Sequence, residues 1–321
     1  MKKIITLILL IAVLSVTLVA CVGCGTTADG KPKIVVTIFP VYDWVMNVLG
    51  DRADDFSVTL LLDSGADLHS YQPSVADMVA VAEADLFLYV GGESDEWVDD
   101  ALKNAVNKDM RTMDLLALLG DKAQYEEIVE GMEHEEEEEE EELEYDEHVW
   151  LSLRNAAFYV DLIAGQIASL DEANAATYAG NAAAYIAQLN ALDARYAETV
   201  RTSPRDTILF GDRFPFRYLI EDYDLNYYAA FVGCSAETNA SAKTFAFLSD
   251  KADELELRVI LKLESSTDDI ARGIVDRSAT HDQEILVMDS LQSATKKEYA
   301  DGRTYLAVMT ENLSTLARAL A

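Results

Sequence analysis

Three side chains that can bind a metal ion lie at similar points of the sequence, far apart along the chain. His69 lies in a polar loop after one apolar, β-branched run, and Asp289 directly follows another. His148 ends a dense acidic segment, where an apolar-aromatic stretch begins. Imidazole and carboxylate donors together suit Zn²⁺ or Mn²⁺. If the three converge they form a transition-metal site, whereas a single loop histidine is most often a surface residue.

The acidic segment, residues 133–147, allows two interpretations. It contains eight consecutive glutamates, Glu135–Glu142, whose mutual repulsion predicts a solvated loop. Such a loop serves solubility in many proteins, but this one leads directly into His148, and carboxylates beside an imidazole can also collect cations. On the second interpretation, His134 is predicted to make a transient metal contact from the loop.

Composition narrows the class of partner. The chain has 321 residues, enough for two domains, and half of them are hydrophobic. Its 25 basic and 58 acidic residues give a net charge of −33, of which the glutamate octet explains only a small part. This charge argues against nucleic acid as a partner, because phosphates would be repelled, and it is compatible with a cationic ligand.

The N-terminus has the pattern of an export signal. Lys2 and Lys3 precede an apolar run of 17 residues that ends at Ala20, just before Cys21. Small residues ahead of a cysteine resemble the lipobox of bacterial lipoproteins, which implies cleavage after residues 1–20 and lipid attachment to Cys21. A membrane-spanning anchor is disfavoured, since 17 residues are at the short limit for crossing a bilayer. A tether over residues 21–32 is expected to follow.

Cysteine usage excludes a disulfide within the body of the protein. Cys24 lies in the predicted tether, and Cys234 is the one cysteine beyond it. A bridge between them would have to hold a flexible segment. Cys234 is therefore predicted to be a buried thiol.

The three metal-binding candidates must be positioned by α/β lobes. Apolar runs alternate with helical patterns, which predicts parallel sheets of four strands flanked by helices in each of two lobes, residues 33–170 and 204–321. An alanine-rich helix over residues 171–203, roughly 45 Å long, should join them. Ligands of such folds bind at the carboxyl ends of strands, here in the cleft between the lobes. The predicted strands are Lys33–Phe39, Phe56–Leu62, Asp85–Val90, Met110–Leu115, Asp206–Phe210, Asn226–Phe231, Arg258–Leu263 and Glu284–Met288.

Four short motifs resemble those of the solute-binding lipoproteins of zinc- and manganese-specific ABC transporters. Gly65–Pro73 matches the family's G-x-D-x-H-x-Y-x-P motif, and His148–Leu151 resembles its second histidine motif. Glu264–Ser266 and Met288–Ser290 resemble its two late motifs. The similarity extends over nearly all of the mature chain and includes the long linking helix, which in this family limits motion to a small tilt of the lobes.

The resemblance implies a non-enzymatic function. His69, His148 and Asp289 would bind zinc, with manganese as the second choice, and the protein would deliver the metal to a membrane permease. An acidic loop ahead of the second histidine is typical of the zinc-binding branch. The resemblance further implies a monomer outside the cytoplasm, anchored to the membrane through lipid on Cys21.

One position departs from the family pattern. Family members usually have His or Glu near the start of the second lobe, where this chain has Arg213, and a guanidinium cannot bind a cation. The remaining ligand could be Asp212, Glu237 or water. Arg213 is expected to pair with Glu237 or Glu264 and to tune the site from outside.

Two other function classes make different predictions. A secreted zinc hydrolase requires an open water position and a general base, but the sequence has no H-E-x-x-H or nucleophile-elbow motif. An adhesion or scaffold lipoprotein would use the acidic surface and bind no stoichiometric metal.

Overall fold

The computed structural model describes residues 30–132, 144–235 and 239–321 and contains two four-stranded parallel sheets. The strands are β1 (Lys33–Val36), β2 (Ser57–Leu60), β3 (Leu86–Tyr89), β4 (Arg111–Asp114), β5 (Thr207–Phe214), β6 (Asn226–Val232), β7 (Val259–Leu263) and β8 (Glu284–Met288). The α-helices are α1 (Phe39–Leu49), α2 (Val75–Ala82), α3 (Trp97–Lys103), α4 (Leu115–Leu119), α5 (Leu153–Leu170), α6 (Ala175–Thr202), α7 (Arg217–Tyr223), α8 (Ala242–Glu254), α9 (Asp269–Val275), α10 (Lys296–Ala300) and α11 (Tyr305–Ala319). The predicted fold class is confirmed.

The first sheet has the strand order β2-β1-β3-β4. Its central strand β1 is almost wholly buried, and Val36 lies in register with Leu60 on one side and Leu88 on the other. The predicted first strand was too long, because the chain already turns into α1 at Phe39. Pro40 occupies the first turn of that helix, where its missing N–H costs no hydrogen bond.

The second sheet has the order β6-β5-β7-β8, the same arrangement as the first. Strand β5 extends to Phe214, four residues beyond the prediction, and its register with β6 shifts between Phe210 and Arg213. Asp212 lies in this irregular stretch, and its carboxylate accepts hydrogen bonds from the backbone N–H groups of Arg213 (2.8 Å) and Leu263 (2.9 Å). The bond from Leu263 ties the end of β5 to β7.

Helix α6 joins the two lobes. It begins at Ala175, after a short 3₁₀ turn over Glu172–Asn174, so the helix predicted for residues 171–203 is slightly shorter than expected. The Tyr185 hydroxyl donates to Asp43 Oδ2 (2.7 Å) on α1, and the Tyr196 hydroxyl donates to the carbonyl of Met309 (2.6 Å) on α11. One helix therefore contacts an element of each lobe.

Buried aromatic side chains pack the lobes together. Trp44 contacts both Tyr159 of α5 and Tyr305 of α11, with ring centroids 5.8 and 5.3 Å apart. These side chains are fully buried and belong to a hydrophobic core that includes residues of both sheets. In residues 30–132, 144–235 and 239–321, no helix has the length and apolarity needed to cross a membrane.

Candidate metal centre

His69 is placed by a tight turn after β2. The turn is a 3₁₀ helix, Leu68–Ser70, and Asp67 caps it by accepting a hydrogen bond from the backbone N–H of His69 (3.0 Å). Leu68 is fully buried, so it fixes the turn to the core. The turn places the imidazole on the loop that follows the carboxyl end of β2, as the sequence predicts.

His148 lies on a segment that makes hydrogen bonds to residues of both lobes. Asp146 Oδ1 accepts from the backbone N–H of His148 at 2.8 Å. Two residues further on, the Trp150 indole N–H donates to the carbonyl of Ser290 (2.9 Å), and the Tyr305 hydroxyl donates to the carbonyl of Trp150 (2.6 Å). Because His148 is also fully buried, its ring has little freedom to move.

The two imidazoles face each other through the same ring atom. His69 Nε2 and His148 Nε2 are 3.1 Å apart, although the residues are separated by 79 positions. Two nitrogens bound to one zinc ion at 2.0–2.1 Å with a tetrahedral angle would be about 3.3 Å apart. The pair is therefore spaced for a shared metal ion.

Partners on the opposite ring nitrogens set the tautomers. His148 Nδ1 lies 3.1 Å from Asp146 Oδ1, and His69 Nδ1 lies 2.9 Å from Ser94 Oγ and 3.4 Å from Glu147 Oε2. A proton on each Nδ1 satisfies these oxygens and leaves an Nε2 lone pair for a metal, the arrangement found behind most metal-binding histidines. Burial opposes ionisation of Glu147, but hydrogen bonds from His69 and Ser94 outweigh it and lower its pKa.

A third potential donor, Cys234, was not predicted to belong to the site. Its sulfur and one nitrogen each from His69 and His148 lie within 4.8 Å of one another. Cys234 is only partly buried, so the expectation of a buried thiol was incomplete. Burial, together with the nearby carboxylate of Glu126 among others, raises the pKa of the thiol. Its place two residues beyond the end of β6 is the signal that could have identified it.

The second lobe also reaches the first through Arg213 and Gln292. Arg213 Nη2 is 2.6 Å from Asp67 Oδ2, and although burial opposes it, this guanidinium lowers the pKa of Asp67. With its amide nitrogen directed towards Asp67, Gln292 donates to Asp67 Oδ1 (2.8 Å), and its amide oxygen lies 2.9 Å from His148 Nε2. The sequence suggested neither contact.

A cleft between the lobes opens next to His69. It has a volume of about 570 Å³ and is lined by Asp67 and His69 from the first lobe and by Asp212, Arg213 and Ser265, among others, from the second. The strand ends of both sheets thus meet here, as the fold class predicts.

The sequence of residues 34–319 matches the family model described as zinc-uptake complex component A, periplasmic (ZnuA). The chain belongs to the ZnuA family. Its two parallel sheets and long linking helix are those of the family's solved structures. The zinc-bound ZnuA-like domain of AdcA from Streptococcus pneumoniae has a TM-score of 0.70 and 28% identity, covering 91% of this chain and 99% of that domain.

Two curated relatives illustrate the range of this ZnuA family. The zinc-binding lipoprotein AdcA of Streptococcus pneumoniae is 32% identical over 98% of this chain, but the match covers only 60% of AdcA. The chain therefore spans about three-fifths of that relative's length. The high-affinity zinc uptake system protein ZnuA of Bacillus subtilis is 28% identical, with 93% of this chain and 90% of that protein covered.

In this ZnuA-family chain, Asp289 is engaged with other groups. Its Oδ2 lies 2.7 Å from Arg303, and its Oδ1 accepts from the backbone N–H of Leu291 (2.8 Å). Burial raises the pKa of Asp289, and Arg303 only partly offsets this. Glu264 accepts from the N–H (2.8 Å) and hydroxyl (2.9 Å) of Ser290, next to Asp289. The role of Asp289 as a metal ligand stays a prediction.

The other predicted site residues fall into two groups. Asp212 lines the cleft, but both its carboxylate oxygens accept from backbone N–H groups, and Arg213 pairs with Asp67 instead of Glu264. The remaining positions lie outside the described residues: Cys21, His134 and Glu237.

Proposed function

We propose that this protein is the extracytoplasmic solute-binding component of an ABC transporter, and that it captures Zn²⁺ in the interlobe cleft and delivers it to a membrane permease. The observation that carries the proposal is the pair of imidazoles facing each other through Nε2, 3.1 Å apart, with a carboxylate near each Nδ1. Such backing orients the ring and increases its basicity as a ligand. Membership of the ZnuA family supports the same function.

Zinc is favoured over manganese by the donor atoms. Two imidazoles suit Zn²⁺, and the general affinity order places Zn²⁺ well above Mn²⁺. The relatives are named for zinc binding and zinc uptake, which supports a binding protein and not an enzyme. Asp289 is the carboxylate that we expect the second lobe to contribute. To bind the metal ion it would give up its ion pair with Arg303.

The location proposed for the protein follows from its N-terminal pattern. The signal over residues 1–20 and the lipobox before Cys21 support export and lipid anchoring, and the relative from Streptococcus pneumoniae is named a lipoprotein. We propose a monomer tethered on the outer side of the cell membrane, with the cleft open to free metal ions.

Zinc titration of the purified mature protein tests this function. We expect one tightly bound Zn²⁺ per chain in the wild type and loss of that binding in the His69→Ala/His148→Ala double variant, because both imidazole donors are gone. His281→Ala is the matched control, since it removes an imidazole whose Nδ1 contacts the carbonyl of Val275, outside the cleft. Tight binding that survives in the double variant would refute the proposed function.

A further inference from the structure

The backbone at the end of β6 comes unusually close to the imidazole pair. Gly233 directly precedes Cys234, and a Cβ atom at Gly233 would lie 2.9 Å from the carbonyl oxygen of Phe214 and 3.1 Å from His148 Cε1. A larger residue would push this segment away from His148. On its other side, the N–H of Cys234 donates to Glu126 Oε1 (2.7 Å), which fixes the residue to the first lobe.

We propose that Cys234 is a metal ligand of this chain, so that the cleft offers two imidazoles and one thiolate. The three donor atoms lie within 4.8 Å of one another, and His69 and His148 are already spaced for one ion. A sulfur at 2.3 Å and a nitrogen at 2.0–2.1 Å from the same zinc ion would be about 3.6 Å apart. Side-chain adjustments of about an ångström therefore complete the set.

The topology explains why a cysteine on β6 can serve this purpose. The second lobe is expected to supply a donor near Arg213, at the end of β5, but Arg213 pairs with Asp67 at 2.6 Å. Strands β5 and β6 are parallel neighbours, with Arg213 in register with Phe231. Cys234, three residues beyond Phe231, thus emerges at the same edge of the sheet. Cys234 therefore offers a donor at the end of β6, next to the end of β5 where the family pattern places one.

The charge around the three donors favours a cation. Glu126 bonds to the backbone of Cys234, Asp146 lies behind His148, and Glu147 lies behind His69. These carboxylates all belong to the first lobe and lie behind the donor atoms, so they create a negative potential where a divalent ion would bind. On metal binding the Cys234 thiol would release its proton to solvent and so add one more negative donor, which is also a soft one.

The proposed ligand makes the site selective. Thiolate donors favour Zn²⁺ and other thiophilic metals, whereas Mn²⁺ prefers oxygen. Cys234 is therefore the residue that excludes manganese from a cleft that also contains carboxylates. This inference rests on the proposed function, because it presupposes a metal held by His69 and His148.

Cobalt substitution of the full mature chain provides the test. A Co²⁺–thiolate bond gives an intense near-ultraviolet charge-transfer band, which we expect in the wild type and not in Cys234→Ser. Zn²⁺ affinity should fall on the order of 100-fold in Cys234→Ser, while Mn²⁺ affinity stays the same or rises. Cys24→Ser is the matched control and should keep the band. Thermal unfolding of each variant checks that the fold is retained.

The outcomes separate the two proposals. A wild-type protein that binds Co²⁺ tightly without the band, or a Cys234→Ser variant with unchanged Zn²⁺ affinity and metal preference, would overturn the cysteine ligand alone. Failure of the wild type to bind Zn²⁺ or Co²⁺ would overturn the proposed function together with it. If Cys234→Ser fails to fold, Cys234→Ala under the same measurements decides between these results.

Discussion

The two residues that precede His148 in sequence, Asp146 and Glu147, each contact one of the two cleft histidines. Asp146 contacts both the ring and the backbone N–H of His148, and Glu147 contacts the ring of His69 within the first lobe. A short stretch thus orients both imidazoles. Acidic residues that contact no metal are therefore expected to control metal affinity.

Asp146→Asn tests this control at the level of one residue. The variant keeps an oxygen that can accept from His148 but loses the charge that makes the imidazole a stronger donor. We expect the dissociation constant for Zn²⁺ to rise by about 10- to 100-fold, measured by competition with a chelator of known affinity.

Asp121→Asn is the control, because it makes the same chemical change at an exposed position. Equal Zn²⁺ affinities for the wild type and Asp146→Asn would mean that the contact between Asp146 and His148 Nδ1 stabilises the loop conformation and does not affect metal binding. A large loss in Asp121→Asn would point instead to a general effect of surface charge.

The sequence predicted only part of this constellation. His69 and His148 were predicted to lie at the site because each is close to the end of a predicted element, which is visible in a sequence. Cys234 and Gln292 were missed, since their approach to His148 depends on the path of the backbone after β6 and β8. The partner of Arg213 was also unpredictable, because Asp67 is distant in sequence and meets it only when the lobes pack.

At the scale of elements, a buried carboxylate helps to attach α6 to the first lobe. Asp43 on α1 is fully buried and accepts hydrogen bonds from Tyr185 (2.7 Å) and Asn47 (3.0 Å). Burial raises the pKa of Asp43 to about 6, although these bonds act in the opposite direction. Because the folded-state pKa is above that of the unfolded chain, this group favours folding below about pH 4, and that contribution is lost as the pH rises through about 6.

Tyr185→Phe should weaken the attachment of α6 in a pH-dependent way. At pH 8 the variant leaves an ionised, buried Asp43 without its tyrosine donor, and we expect the free energy of unfolding to fall by about 1.5–3 kcal/mol. At pH 5 Asp43 is protonated in the folded state, so the loss should be smaller. Urea unfolding at both pH values measures the difference.

Tyr228→Phe serves as the control, since it removes a hydroxyl from a partly buried ring outside this interface. A destabilisation by Tyr185→Phe that is equal at pH 5 and pH 8 would show that the ionisation of Asp43 is not involved. If Tyr185→Phe and Tyr228→Phe lower the free energy of unfolding equally, the hydrogen bond from Tyr185 to Asp43 has no particular importance for stability.

Elements were predicted better than their ends. All eight strands formed near their predicted positions. Most are apolar, β-branched runs bounded by turn residues, which specify buried parallel strands, although β4 (Arg111–Asp114) is polar and largely exposed. The end of β1 was misplaced, since Phe39 fits a strand as well as the first turn of α1. The extended end of β5 is held to β7 by a hydrogen bond from the backbone N–H of Leu263 to the carboxylate of Asp212, and helix α5 was overlooked beside the longer α6. The first feature depends on a tertiary contact, whereas the second has local signals, an N-cap at Ser152 and apolar residues at helical spacing.

At the scale of the whole molecule, the charge of −33 should act on the rate of metal capture. A negative surface concentrates cations near the cleft and raises association rates. Deleting Glu135–Glu142 should slow Zn²⁺ association by about tenfold at low ionic strength, because a dense part of that field is removed. Stopped-flow measurements give the rate, and equilibrium titration should show that tight binding is intact.

Replacing Glu135–Glu142 with eight glutamines separates charge from loop length. This variant should slow association as the deletion does, and both should approach the wild-type rate in about 1 M salt, where screening extends only about 3 Å. Loss of the tight site on deletion would mean that the acidic segment itself binds the metal. A rate that salt does not change would exclude electrostatic gathering.

The two tyrosine bonds of α6 have a mechanical consequence. Tyr185 and Tyr196 are 11 residues apart, so they lie on the same side of the helix and about 16.5 Å apart along its axis. The lobes are thus fastened at two points of one rod, and a bend of about 5° between those points displaces one lobe relative to the other by about 1.4 Å. Such a displacement is more than half the length of a zinc–ligand bond. Under the proposed function, a few degrees of bending in α6 would therefore be enough to break coordination bonds. A partner that pushes on one lobe would then release the ion without a wide opening of the cleft.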